Sequence, residues 1–121
     1  MQANLLRCAQ VISSLFLVQW LDMITHVVLL QPKSETTDEE LATLLESVRA
    51  LQEVIPGIVA ISVGKNHSFY HHGFTYGIIM RFVDEAHLQA HHPHPAHLAV
   101  VEELDRLCQQ TIDFDLPEAG E

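Results

Sequence analysis

The sequence predicts an α+β fold in which a four-stranded antiparallel sheet carries helices on one face. The chain has 121 residues, enough for one domain with a hydrophobic core. Segments with strand-like and helix-like spacing follow one another in the order β-α-β-β-α-β, separated by prolines and glycines. Apolar residues make up 48% of the chain and charged residues 18%, which is typical of a globular protein.

The first strand and the first helix are predicted from an apolar run and a capping signal. Residues 23–31 are β-branched and apolar, and the run is short enough for a buried strand. Thr37 and Glu40 have the spacing of a capping box, which predicts a helix start at this point. Apolar residues then recur at helical spacing, at Leu41, Leu44, Leu45, Val48, Leu51 and Ile55. Pro56 disfavours helical backbone at the residue before it and ends the helix.

The second and third strands are predicted at 57–64 and 74–83, joined by a loop at 65–73. Side chains alternate between the two faces of a strand. His26, Val28 and Leu30 therefore share one face of the first strand. Tyr76, Ile78, Met80 and Phe82 share one face of the third strand.

The second helical region is predicted in two pieces, because two prolines interrupt it. Asp84 can cap a short helix that Pro93 ends. Pro95 suits the first position of another helix, which runs to about Cys108. A fourth strand follows at 111–116, where polar and apolar residues alternate strictly. We expect the three apolar residues of this strand, Ile112, Phe114 and Leu116, to point inward.

This order of elements is the ferredoxin-like plan, with both helical regions on one face of the sheet. The strands are apolar on both faces, as Val27 and Leu29 alternate with Val28 and Leu30. A face exposed to water would show cleaner alternation. We therefore expect the second face to be covered in a homodimer, by contact between two sheets.

Charge and cysteine content restrict the partners and the location. Six Lys and Arg against 16 Asp and Glu give a net charge of −10. Nucleic acid and anionic membranes are therefore not expected as partners, because phosphate binding needs clustered basic residues. Cys8 and Cys108 have neither disulfide-framework nor zinc-site spacing, so we expect a reducing, cytoplasmic location.

Residues 1–22 form a predicted N-terminal extension ahead of the domain at 23–121. Residues 11–21 are apolar but too short to span a bilayer. The run follows Arg7 and faintly resembles a signal peptide, but no small-residue cleavage site follows it. Two interpretations stay open: a helix that packs on the domain or on a partner, or an upstream start codon with Met23 as the true beginning.

Four segments of the sequence resemble the stress-responsive A/B barrel (Dabb) domain over residues 23–116. They are "MITHVVLL", "EVIPGIVAISVGKN", "GFTYGIIMRFVD" and "HPHPAHLAVVEEL", in the order and spacing of that family. The resemblance implies a dimeric α+β barrel, in which two ferredoxin-like sheets close around a shared interior with the helices outside. Some members are stress-induced plant proteins, others resemble polyketide cyclases that close rings without a metal, and most bacterial members have no assigned reaction.

The resemblance also implies which residues form a site. In the cyclases, the last histidine of "HPAH" acts with a tyrosine six residues earlier; here these positions hold His97 and His91. The family positions of His26 and Tyr76 line the cavity. We therefore expect His97 to be the catalytic base, with Tyr76 or His91 orienting the substrate. The predicted binding residues are His26, Val28, Ile78, Met80 and Val101.

The spacing of His97 supports an inward position independently, since Val101 and Leu104 follow four and seven residues later. The predicted function is proton transfer on a small carbonyl or aromatic compound in an apolar pocket. Three alternatives stay open: His97 serves packing alone, the protein is a non-catalytic stress-response or small-molecule-binding protein, or the histidines bind a metal. No metal or other cofactor is expected, because Pro93 and Pro95 should separate the imidazoles, leaving His92 and His94 near solvent.

Overall fold

The computed structural model describes residues 22–119. It contains four strands and three helices, in the predicted order: β1 (Ile24–Pro32), α1 (Asp38–Val54), β2 (Ile58–Lys65), β3 (Tyr76–Phe82), α2 (Glu85–His91), α3 (Pro95–Leu107) and β4 (Cys108–Pro117). The predicted α+β class and ferredoxin-like element order are confirmed. The helix expected within residues 1–22 lies, except for Asp22, outside the described residues.

The sheet is antiparallel throughout, with the strand order β2-β3-β1-β4. The central strands β1 and β3 pair so that His26 lies opposite Met80 and Val28 lies opposite Ile78. On its other side, β1 pairs with β4, and His26 lies opposite Asp115. This register places His26 between a core methionine and an edge-strand carboxylate.

The capping signals define the ends of α1 as predicted. The Thr37 hydroxyl accepts a hydrogen bond from the Glu40 amide at 3.1 Å, and the Glu40 carboxylate accepts one from the Thr37 amide at 3.1 Å. The helix ends at Val54, before Pro56. Gly57 follows with φ +88°, and a Cβ there would lie 2.5 Å from the His87 side chain, so the turn requires glycine.

A side-chain cap marks the start of each of the two short helices, α2 and α3. The Asp84 carboxylate accepts from the His87 amide at 2.8 Å and starts α2. The His94 ring accepts from the Ala96 amide at 3.1 Å and starts α3, with Pro95 as its first residue, as predicted. The residues between the two helices form a tight turn, which positions the histidines described below.

The core lies between the sheet and the helices. Its most buried members include Leu30, Phe82, Val48, Leu41 and Leu88. The helices α1 and α3 pack against each other, and α2 packs on β1 and β3. Within residues 22–119, every helix is too short or too polar to cross a bilayer.

The expected inward orientation of the apolar residues of β4 is wrong. Ile112, Phe114 and Leu116 lie on the sheet face opposite the helices, and 44%, 40% and 54% of their surfaces are exposed. The predicted alternation is correct, but the aspartates between these residues face the helix side. Because β4 is an edge strand, its helix-side positions reach water and His26, so a carboxylate is tolerated there.

A candidate histidine site

Four histidines converge where β1, the end of α2 and the start of α3 meet. The ring centroid of His91 lies 4.4 Å from those of His92 and His97 and 5.4 Å from that of His26. The His92 ring lies 5.9 Å from His97 and 6.4 Å from His26. The structure therefore brings together three of the predicted site residues, His26, His91 and His97. It adds His92 to them.

The elements explain this convergence. His26 points to the helix side at the start of β1, and His91 ends α2 directly above it. Phe82 packs against both rings, with centroid distances of 6.3 and 4.7 Å. The turn at Pro93 then reverses the chain, so that the first turn of α3 returns His97 to His92. The His97 Nδ1–H donates to the His92 carbonyl at 3.0 Å.

His91 is the most deeply buried member, with 1% of its surface exposed. Its Nδ1–H donates to the backbone carbonyl of Leu88. A carbonyl oxygen can only accept, so Nδ1 carries the proton and Nε2 of the neutral ring has a free lone pair. That Nε2 atom is buried and has no hydrogen-bond partner. Buried polar atoms are nearly always paired, so this nitrogen has room for a partner that the described protein atoms do not supply.

His97 has the same tautomer by the same argument, because its Nδ1 also donates to a carbonyl. Unlike His91, it is half-buried and reaches the surface. One ring nitrogen each of His91, His92 and His97 lies within 4.8 Å of the others. The cluster therefore extends from the core to solvent through His97 and His92.

Burial keeps the imidazoles of His91 and His97 uncharged at neutral pH. Desolvation, together with a smaller effect of the neighbouring histidines, lowers the pKa of His91 to about 4 despite the opposing hydrogen bond to Leu88. Desolvation also lowers the pKa of His97, opposed mainly by its bond to the His92 carbonyl. Both side chains are therefore available at pH 7 as proton acceptors or as metal ligands.

His26 is held by a carboxylate that the sequence analysis missed. Its Nδ1–H donates to Asp115 Oδ1 at 2.5 Å, while only 4% of the His26 side chain is exposed. Asp115 lies directly opposite His26 in the β1–β4 register. The alternation of aspartate with apolar residues in β4 was the signal for this pair, and the wrong face assignment concealed it.

Tyr76 does not join the cluster. It pairs with Leu30, whereas His26 pairs with Met80, so about 13 Å of strand separates the two positions. The Tyr76 hydroxyl instead donates to Asp38 at 3.0 Å, and burial, followed by Asp38, raises its pKa. The expected pairing of Tyr76 with His97 is wrong, because two residues on one sheet face need not lie at the same end of it.

The other predicted binding residues lie beside the histidines or deeper in the core. Val28, Ile78 and Met80 are buried on the helix side of the sheet, and Met80 neighbours His26. Val101 is only half-buried, whereas Val100 is buried. His97 and Val101 thus flank the inner stripe of α3 and lie at its boundary with solvent.

His92 and His94 were both expected near solvent. His92 is exposed, yet its ring belongs to the cluster, and the half-buried His94 ring caps α3. The two prolines do not separate the imidazoles as expected. Because the turn between α2 and α3 is tight, it brings residues five apart in the sequence into contact.

The opposite face of the sheet carries an apolar groove of about 360 Å³. Its lining includes Val27, Leu29, Val63, Gly77 and Ile79. Ile79 and the three apolar residues of β4 are exposed on this face, which we call the open face. A patch of this kind is typical of a surface that binds another protein or an apolar ligand.

The fold and the element order define a ferredoxin-like α+β domain, and the family comparison agrees with them. The model of the stress-responsive A/B barrel (Dabb) domain matches residues 24–118. The chain belongs to this family. Among proteins with curated functions, none matches the chain.

Solved structures with the same fold differ in function. A dimeric ferredoxin-like protein of unknown function from Jannaschia sp. CCS1 is 26% identical, with a TM-score of 0.71 over 78% of this chain and 97% of its own. Hydroxynitrile lyase from Passiflora edulis is 17% identical, with a TM-score of 0.73 over 78% and 92%. SnoaB, a cofactor-independent oxygenase from Streptomyces nogalater, is 16% identical, with a TM-score of 0.66 over 78% and 91%. The two enzymes share the fold alone.

Proposed function

We propose that this protein is a homodimeric enzyme that transfers a proton on a small carbonyl or aromatic compound, with His97 as the general base. One observation carries the proposal. Two imidazoles 4.4 Å apart, His91 and His97, each use Nδ1–H to bind a backbone carbonyl and present an unprotonated Nε2. A general base must be unprotonated and accessible, and His97 has a lowered pKa and reaches the surface.

The roles of the two histidines follow from their positions. His97, at the surface, accepts a proton from a hydroxyl group or from a carbon beside a carbonyl. The resulting imidazolium keeps its Nδ1–H bond to the His92 carbonyl, and Nε2–H returns the proton to the product. His91 is buried and stays neutral, and its ring, 4.4 Å from that of His97, helps to position the base. Small neighbours of this fold, a lyase and a cofactor-independent oxygenase among them, support the choice of an enzyme.

The proposal is tested by proton exchange and bond cleavage in a panel of small ketones, aldehydes and aromatic hydroxynitriles. Nuclear magnetic resonance in deuterated water follows exchange beside the carbonyl, and released cyanide reports cleavage. We expect His97→Ala to lower the rate at least ~100-fold, because general bases contribute about that much. His67→Ala, which removes an exposed loop histidine, should keep the full rate. Equal rates for wild type and His97→Ala would contradict the proposal.

The proposed homodimer forms through the open face. Ile79, Ile112, Phe114 and Leu116 supply an exposed apolar surface there, and several solved structures of this fold are described as dimeric. Light scattering at micromolar concentration should return twice the chain mass of 13.6 kDa. The proposed location is the cytoplasm, because the two cysteines of the sequence do not have the spacing of a disulfide framework.

A second candidate function is non-catalytic binding of a small apolar molecule, favoured by the groove on the open face. Val27, Leu29 and Ile79 line it, and its volume of about 360 Å³ suits a small ligand. A fluorescent apolar probe distinguishes the two functions. If the protein binds an apolar molecule in the groove, the Gly77→Leu variant, whose side chain fills the groove, should not bind the probe. The His97→Ala variant should bind it as the wild type does.

A further inference from the structure

We infer that His91, His92 and His97 form a binding site for one transition-metal ion of the class of Zn²⁺, Ni²⁺ or Cu²⁺. The inference rests on the geometry of the three rings and does not depend on the proposed proton transfer. One ring nitrogen from each histidine lies within 4.8 Å of the others. Neutral imidazole is a preferred ligand of these three ions.

The buried lone pair of His91 is the first supporting observation. Its Nδ1 binds the Leu88 carbonyl, so Nε2 lies on the other side of the ring and has no hydrogen-bond partner, although the residue is 1% exposed. An unpaired buried acceptor destabilises a protein unless something binds it. The ring centroids of His92 and His97 each lie 4.4 Å from that of His91, and a metal ion bound by Nε2 of His91 between the three rings would give this atom a partner.

The second observation is how the rings are oriented. Metal-bound histidines almost always donate their other ring N–H to a backbone carbonyl or a carboxylate, which sets the tautomer. His91 donates to Leu88 and His97 donates to the His92 carbonyl. Two of the three proposed ligands therefore already have the hydrogen bond that a metal site requires.

The distances permit binding after a small rearrangement. Nitrogens bound to one tetrahedral zinc ion are about 3.4 Å apart, given Zn–N bonds of about 2.1 Å. Because the three nitrogens now lie within 4.8 Å of one another, each pair must approach by roughly 1.4 Å at most to reach this separation. His92 is exposed and His97 half-buried, so both side chains can rotate toward the fixed His91 ring. Three protein ligands leave a fourth position for water or a small molecule.

The charges around the cluster suit a cation. Asp115 binds His26, whose ring lies 5.4 Å from His91, and Asp113 lies close enough to His97 to favour its charged form. Both carboxylates belong to β4, and no Lys or Arg among the described residues is hydrogen-bonded to either. The edge strand thus supplies negative charge on one side of the proposed ion.

Metal binding is measured by calorimetry on the tag-free full-length chain after treatment with a chelator. We expect Zn²⁺ to bind at one ion per chain with a Kd in the micromolar range or below. His92→Ala and His97→Ala should each weaken binding at least ~10-fold. His94→Asn is the matched control: it removes an imidazole from the same segment but keeps a side-chain cap on α3, so the affinity should not change.

Cobalt substitution provides the second measurement. Co²⁺ bound to the wild type should give the intense visible absorption of a tetrahedral site, and His97→Ala should abolish it. Weak binding of several ions per chain, or an equal loss of affinity in His94→Asn, would overturn the inference. These measurements need no substrate, so a failure of the proposed catalysis leaves them decisive. If both proposals hold, Zn²⁺ inhibits the reaction, because the ion occupies the lone pairs that accept the proton.

Discussion

At the scale of single residues, the most informative atom is Nε2 of His91. Its ring is packed against Phe82 and fixed by the Leu88 carbonyl, so it cannot turn this nitrogen toward water. A protein built only for stability would place an apolar residue at such a position, because the unpaired nitrogen is costly. This cost is the reason why we assign His91 to the proposed site.

The low pKa of His91 makes the stability of the fold depend on pH. The folded-state pKa of about 4 lies below the value of about 6.5 for an unfolded histidine, so the unfolded chain binds the proton more tightly. This contribution is fully present above pH 6.5 and is lost as the pH falls toward 4. Between pH 7 and pH 5 the wild type should lose about 2 kcal/mol from this group.

Urea unfolding in the presence of a chelator measures this loss. The His91→Gln variant cannot titrate at this position and should lose correspondingly less stability over the same interval. An identical pH dependence in the two proteins would contradict the assignment of the low pKa to His91.

Tyr76 provides a second test at this scale. Tyr76→Phe removes the hydrogen bond to Asp38 and should destabilise the fold by about 1 kcal/mol. Because Tyr76 lies at the other end of the sheet, any activity of the histidine cluster should be unchanged. Tyr70→Phe is the matched control, since Tyr70 is 76% exposed, and it should change neither quantity. A large loss of activity in Tyr76→Phe would restore its predicted catalytic role.

At the scale of elements, the sequence predicted the starts of the helices because capping is local. Thr37 with Glu40, Asp84, and Pro95 each act within four residues of chain. The orientation of β4 was not local. Strict alternation of polar and apolar residues fits two orientations, and only the pairing of Asp115 with His26 distinguishes them.

The same limit explains the outcome for the histidines. The spacing of "HHPHPAH" predicted the break between two helices correctly. It did not predict how tightly the chain turns there, and therefore missed the contact between His92 and His97. The resemblance to the family identified the residues His91 and His97, whereas their hydrogen bonds depend on the three-dimensional structure.

The capping box of α1 is expected to stabilise the whole domain. Thr37→Ala removes the acceptor for the Glu40 amide and should lower the free energy of unfolding by about 1 kcal/mol. Thr43→Ala, in the exposed middle of the same helix, should have little effect, because alanine favours the helix. Urea unfolding curves of the two variants check this difference, and equal effects would contradict it.

At the scale of the whole molecule, the sheet separates the proposed histidine site from the proposed dimer interface. Its helix side holds the core and the histidine cluster, and its open face carries exposed apolar residues. Ile79→Glu and Phe114→Glu place a charge on the open face and should convert the proposed dimer into a monomer. Val54→Glu, at an exposed apolar position at the end of α1, should leave the dimer intact. Light scattering of the three variants measures the result, and a dimer in all three would exclude this interface.

The strand order also determines how copies of the chain can associate through the edges of the sheet. Among residues 22–119, the sheet ends in β2 and β4, whose outer edges have no strand partner there and could extend into a fibre. The irregularity in β2 between Ile58 and Ala60 breaks the regular ladder that an added strand would need. Along β4, Asp113 and Asp115 set like charges against any second copy aligned there. These two features oppose edge-to-edge growth, whereas the proposed pairing of the open faces would close the assembly at two copies.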